Sequence, residues 1–307
     1  MANELGVAVG YGVGTEMRSV REVRTEAVWA AATGFDSFWV SQIFGVDPIV
    51  ALAAIAGDIP GLDEVGTSVV PMAGRHPLAL AAQVRTAQDA LDGRFTLGVG
   101  PSHELVVEGF YGERYAQPFT RTIEYLSALL PLLYGEKAEV SGSQVRANGW
   151  LTIDAEPCPV LLAALGPRML DVAGRACAGT TVGSCGPKTI AEHIAPIITE
   201  AAATADRPPP RIMALVAVAV TDDPATAYAE AVESGRLYAS LPSYRAMLDI
   251  EGVESGADLL LAGSMDQILE GLERYAAAGA TDLRIGIGSA DEDVIEATRD
   301  GLATWLA

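Results

Sequence analysis

The chain is short of the residues that most directly announce a chemistry. It has three cysteines, Cys158, Cys177 and Cys185, an odd number with no C-x-x-C spacing. That argues against a disulfide framework and a structural zinc site, and leaves reduced, buried thiols as the expectation. The three histidines, His76, His103 and His193, are too scattered to hold a metal together. Neither a Ser-His-Asp arrangement nor a G-x-S-x-G elbow is present. No segment reaches the ~20 apolar residues of a membrane span. The opening MANELGVAVGYGVG has no basic region and no apolar run of signal-peptide length, so a soluble, cytoplasmic protein is expected. Cations are scarce as well: 20 Lys and Arg face 40 Asp and Glu, a formal charge of −20. A field of that sign excludes nucleic acid and anionic membrane as partners and fits an acidic enzyme acting on a small molecule.

What the chain does have is apolar material, half of its 307 residues, arranged in a repeating beat of short β-rich run and Pro- or Gly-led helix. The runs are Leu5 to Val9, Ser37 to Val40, Gly66 to Val70, Phe95 to Gly100, Pro159 to Ala163, Gly179 to Val182, Ile212 to Val220 and Thr281 to Ile287. The third is too short and too β-branched for a helix, and Pro71 is expected to stop its pairing. The helix after it, from Pro77 to Leu91, sets Leu80, Val84, Ala87 and Leu91 on one face. Ile212 to Val220 is an unbroken apolar run of the kind a strand covered on both faces shows. Eight such units with no composition break predict a (β/α)8 barrel, one domain over 1–307 with insertions near 135–156 and 238–263. The segment between Phe95–Gly100 and the helix from Pro118 reads as irregular.

In a (β/α)8 barrel the active site lies where the strands end. That filter selects Tyr11, Gln42, Ser68, Pro71, Ser102, His103, Gly166, Arg168, Ser184 and Gly186. Two turns, Ala164-Leu165-Gly166-Pro167-Arg168 and Ser184-Cys185-Gly186-Pro187-Lys188, run straight into helices. Free N–H groups plus a cation in the first turn make a local anion site, although Gly-Pro before a helix is also ordinary capping. Neither turn is a P-loop, and Gly98-Val-Gly100-Pro-Ser-His lacks the third glycine of a dinucleotide fingerprint. His103, beside Glu104 at a strand end, is a candidate to move a proton near neutral pH, or else a solvated loop histidine. His76 reads as a helix cap.

Several of these stretches together resemble the bacterial-luciferase-like (β/α)8 proteins, and within them the group using coenzyme F420. The carriers are GFDSFWVSQ at Gly34 to Gln42, VGTSVVPMAGRHP at Val65 to Pro77, RFTLGVGPSHELVVEGFYG at Arg94 to Gly112, PCPVLLAALGPRMLDVAG at Pro157 to Gly174, and LPSYRAMLDIEG at Leu241 to Gly252. The resemblance implies a non-proline cis peptide between Ser68 and Val69 beneath the deazaflavin ring. It implies that Pro101 and Ser102 line that ring and that Ala164, Leu165, Gly166 and Arg168 receive the phosphate-bearing tail; Gln42 at the end of the second strand, and Ser184 and Gly186 at the second anion turn, are further cofactor-binding candidates. Tyr11, Phe44, Met72 and Tyr244 are expected as substrate-pocket walls, and His103 as the proton donor or orienting group. The sugar- and alcohol-oxidising members carry an Asp-His pair after strand two where this chain has Gln42 and Ile43, and a Glu where it has Ser102 and His103. Alcohol oxidation is therefore disfavoured against reduction of an electron-poor C=C, C=N or C=O by reduced F420. An FMN-dependent monooxygenase of the same fold and a non-catalytic cofactor-binding barrel are the alternatives, and relatives of this kind often pair as homodimers.

Overall fold

Apolar runs stopped by glycine or proline become strands, and the Pro-led segments between them become helices, because Pro at the first helical position forfeits only an N–H that has no partner. The computed structural model describes residues 5–307, the side chains of Leu237 and Tyr238 apart. In chain order the strands are β1 (Ala8–Val13), β2 (Ser37–Val40), β3 (Glu64–Thr67), β4 (Val70–Pro71), β5 (Phe95–Gly100), β6 (Ala138–Ser141), β7 (Arg146–Gly149), β8 (Val160–Ala163), β9 (Gly179–Val182), β10 (Arg211–Val220), β11 (Leu261–Gly263) and β12 (Asp282–Ile287). The main sheet runs β11-β10-β12-β1-β2-β3-β5-β8-β9, with β4 on β5 and β9 hydrogen-bonded to β10. Leaving out β11, that order closes on itself as eight strands with helices between them. The chain has the expected (β/α)8 barrel fold.

By contacts the chain divides into two compact units. The first comprises Val13–Trp29 and Phe38–Ala163. It holds helices α2 (Pro48–Ala54), α3 (Pro77–Ala90), α4 (Glu104–Gly109) and α5 (Pro118–Leu133), preceded by most of α1 (Val20–Thr33). Here β3 and β4 both pair in parallel with β5, Val65 opposite Phe95 and Val70 opposite Val99. The insertion expected near 135–156 is the antiparallel hairpin β6–β7. Its turn is held by Glu124 of α5, whose carboxylate accepts the N–H groups of Ser143, Gln144 and Val145 at 2.6–2.9 Å.

The second unit comprises the N-terminal strand to Gly12, Ala30–Ser37 and Ala164–Ala307. Its helices are α6 (Pro167–Ala176), α7 (Pro187–Thr189), α8 (Ala195–Thr204), α9 (Pro224–Ala239), α10 (Pro242–Glu251), α11 (Met265–Ala277) and α12 (Glu292–Leu306). Strand β10 pairs with β9 through Arg211–Ala214, with β12 through Met213–Val218, and with β11 through Val218–Val220.

Several elements differ from the sequence reading. Strand β1 continues through Gly10 and Gly12 to Val13, and Gly12 lies against the buried side chain of Arg284, where a Cβ would collide. Pro71 does not end pairing: the ladder lapses at Ser68–Val69 and resumes at Val70–Pro71, and the Met72 N–H still donates to the Gly100 carbonyl at 2.9 Å. The stretch taken as irregular contains α4. The helix expected from Pro187 to Ala205 runs without interruption to Thr204 but takes a π turn at Ile190–Ile194.

Candidate functional site

Within the first unit, the ends of β2, β3 and β5 are tied into one platform. The Ser68 N–H donates to the Val40 carbonyl at 3.0 Å, the Gln42 N–H to the Val69 carbonyl at 3.2 Å, and the Ser41 hydroxyl to the Ser68 carbonyl at 2.6 Å. On the other side the Thr67 hydroxyl donates to the Gly98 carbonyl at 2.7 Å and accepts the Gly98 N–H at 3.0 Å. Gly98 has to be glycine, since a Cβ there would meet the Thr67 carbonyl oxygen. The peptide bond between Ser68 and Val69 is cis, as the resemblance implies. Ser68 is buried and Val69 half-buried.

The turn after β5 carries the next group of expected residues. Ser102 takes a left-handed backbone, φ 65°, which costs a non-glycine residue of order 1 kcal/mol and is held where surroundings impose it. Here the Tyr115 hydroxyl donates to the Ser102 carbonyl at 3.1 Å, and burial, then Glu104, keeps that phenol protonated by raising its pKa. His103 follows at the N-cap of α4, half-buried, its carbonyl accepting from Val106 and Val107 at 2.9 Å. Burial lowers its pKa, so at neutral pH the imidazole is uncharged. Met72 and Pro101 line a shallow cleft with Ala73, Val107, Tyr115 and Arg121. Phe44 lies outside that cleft, 64% exposed, and packs on the equally exposed Phe110 with ring centroids 4.6 Å apart.

Arg75 was not singled out by the sequence, yet it is bonded to this platform. Its guanidinium donates to the Gln42 side-chain oxygen at 2.5 Å, to Asp47 at 3.0 Å and to the Pro71 carbonyl at 3.2 Å. An arginine two residues before a helix-opening proline, in an acid-rich chain, was the available signal. His76 next to it caps α3, its Nδ1 accepting the Leu78 N–H at 3.2 Å, as expected.

In the second unit the two candidate anion turns diverge. No side chain caps α6 at Gly166, and the space where a Gly166 Cβ would stand is open. The Leu165 carbonyl just before it accepts from His193 at 2.8 Å, which fixes the proton on Nε2. Ala164 is buried, while Gly166 and Arg168 are exposed. At the other turn the expected free N–H groups are taken. The Glu251 carboxylate, from the end of α10, accepts the Thr189 N–H and hydroxyl, each at 2.7 Å, and the Lys188 N–H at 3.3 Å. It lies against buried Gly186, and Ser184 before it is left-handed, φ 54°. Tyr11 is buried against Phe35, ring centroids 5.5 Å apart, and Tyr244 on α10 is half-buried.

All three cysteines are free and buried. Burial pushes the thiols of Cys177 and Cys185 up to about 12, the latter with help from Glu251, and raises that of Cys158 further. None is a nucleophile at neutral pH. Among the described residues no helix is long and apolar enough to cross a membrane.

A closed barrel of parallel strands, with a bonded platform and strained turns at the strand ends, is the frame of a (β/α)8 enzyme. The chain belongs to the luciferase-like monooxygenase family, which residues 3–282 match. It is 31% identical over 250 residues to the F420-dependent glucose-6-phosphate dehydrogenase of Mycolicibacterium smegmatis, covering 76% of this chain and 74% of that one. It is 25% identical over 170 residues to the 5,10-methylenetetrahydromethanopterin reductase of Methanolobus tindarius, where the match spans 55% of this chain and about half, 52%, of the relative. Among solved structures, an F420-dependent secondary alcohol dehydrogenase in complex with an F420-acetone adduct superposes with a TM-score of 0.79 at 19% identity, over 98% of this chain and 97% of the other, a likeness of fold.

Proposed function

We propose that this enzyme is a coenzyme F420-dependent oxidoreductase working as a reductase, moving a hydride from reduced F420 to an electron-poor C=C, C=N or C=O of a small molecule. The observation that carries the reading is the 31% identity, over three quarters of both chains, to an F420-dependent dehydrogenase. Two groups of residues support that cofactor. The open space beside Gly166 and the uncapped first turn of α6 suit an anionic group. The platform of Gln42, Ser68 and Val69, with Pro101 and Ser102 beyond it, suits a planar ring. When bound, reduced F420 supplies the hydride.

The chain's own contribution is orientation and exclusion of water. His103, neutral at pH 7, orients a ligand through a ring N–H or lone pair, and gives up a proton only in more acid solution. Gln42 has no basic atom, so the strand-two position cannot take a hydroxyl proton, which favours reduction over alcohol oxidation. Cytoplasmic residence and a homodimer belong to the same reading. The test is an optical titration of the purified protein with F420 and with FMN. Saturable F420 binding with hydride transfer from reduced F420 is expected; tight FMN binding without F420 binding overturns it.

A further inference from the structure

The Gln42 side chain is oriented by a partner that can only donate. A guanidinium has five N–H groups and no acceptor, so the atom facing Arg75 at 2.5 Å must be the amide oxygen, and the amide nitrogen lies on the other side. Arg75 cannot swing away easily. It is 12% exposed, it also holds the Pro71 carbonyl and Asp47, and Asp47 is itself pinned by accepting the N–H groups of Ile49 and Val50 at the start of α2. The main chain of Gln42 is fixed as well, by its N–H bond to the Val69 carbonyl. The amide nitrogen has no hydrogen-bond partner among the described residues, and Gln42 is half-exposed at the end of β2, on the catalytic face of the barrel.

We infer that Arg75 is a positioning residue that sets Gln42 as an N–H donor to the substrate's carbonyl oxygen, so that the substrate class is a ketone or a conjugated carbonyl compound. The inference rests on the reductase reading. As hydride adds to carbon, a C–H bond forms and the π electrons of C=O, or of C=C–C=O, pass to oxygen. The Gln42 amide stabilises the charge developing there, and a proton from water, or from His103 in more acid solution, completes the reduction. An oriented donor at a developing oxyanion is worth a hundredfold or more in rate, and an amide cannot compete by taking the proton itself.

The test uses p-nitrophenolate, an oxyanion with a visible absorbance, titrated at alkaline pH into the full chain with and without F420. Gln42→Met keeps the length and removes every N–H without adding a charge; Arg75→Met releases the amide; Arg75→Lys retains a single donor to it. Expected in the arm without F420 are saturable phenolate binding by the native protein, about tenfold weaker binding by Gln42→Met and Arg75→Met, and partial recovery in Arg75→Lys. Native protein that does not bind the phenolate, or variants that bind it as well as the native chain, would each overturn the inference. Failure of the native protein to bind F420 instead sinks the proposed function, and the arm without F420 still decides the role of Gln42.

Discussion

Arg85 offers a sharp test of how the first unit is held together. It sits on the inner side of α3, 5% exposed, and its hydrogen-bond partners are main-chain carbonyls: Leu133 at 2.8 Å, Ile153 at 2.6 and 3.2 Å, and Ala155 at 3.1 Å. Leu133 is the last residue of α5, so the cation stands at the negative end of a helix dipole, while Ile153 and Ala155 belong to the segment that leads from the β6–β7 hairpin to β8. In Arg85→Met the apolar stem survives and three carbonyls, that of Leu133 buried and those of Ile153 and Ala155 partly so, lose a charged donor. Hydrogen bonds to charged groups are worth about 1.5–3 kcal/mol each. Part of that is offset because the cation no longer has to be buried, and a net loss of about 4 kcal/mol follows. For a chain of this length an unfolding entropy of about 0.6 kcal/mol per kelvin converts the loss into a fall of about 6 °C in Tm. Urea and thermal unfolding should both show it, and hydrogen exchange at 150–157 should speed up before the rest of the unit opens. A variant within 1 kcal/mol of the native protein would refute the assignment of Arg85 as the clamp of these three segments.

Two further outcomes are expected. The Tyr125 hydroxyl is buried without a hydrogen-bond partner among the described residues, so Tyr125→Phe removes an unsatisfied polar group and should be neutral or raise stability by about 1 kcal/mol; a loss of more than that in urea unfolding would mean the hydroxyl is bound. For His103, burial depresses the pKa below 6.5, so the uncharged form is the one the fold favours: its contribution to stability is present above pH 6.5 and is lost as pH falls through the folded value. If protonated His103 is the acid of the reaction, kcat should rise as pH drops below 6.5 and His103→Ala should flatten that rise; an identical profile in the variant removes the role.

The sequence was legible wherever a residue type has one local meaning. Buried parallel strands read as apolar runs, and Pro77, Pro118, Pro167, Pro187, Pro224 and Pro242 each mark a helix at its first residue. Short elements escaped: six residues of α4 make under two turns, and the three residues of β11 pair only because β10 extends past β9. Interactions across distance escaped too. Nothing local tells that Glu251 reaches back 62 residues to fill the turn at Thr189, or that Arg75 and Gln42, 33 apart, meet. The cis peptide at Ser68–Val69 came from the resemblance, since the residues themselves, a serine and a valine, carry no sign of it.

What the strand ends supply is mostly geometry. Ser102 and Ser184 are held in left-handed turns, the bonded platform presents main-chain atoms, and Gln42 presents an amide; none of these groups changes charge between acid and alkaline pH. Two titratable groups there are held uncharged by burial, His103 as the neutral imidazole and Cys185 as the thiol. The cations, meanwhile, are largely engaged within the fold: Arg75 on Asp47, Arg85 on carbonyls, Arg121 on Glu113, Arg211 on Asp282. A site so equipped has little acid–base or nucleophilic chemistry of its own at pH 7. It suits a reaction whose electrons arrive as a hydride from a bound cofactor, where the protein has to fix two partners against each other and stabilise the charge that moves onto an acceptor oxygen.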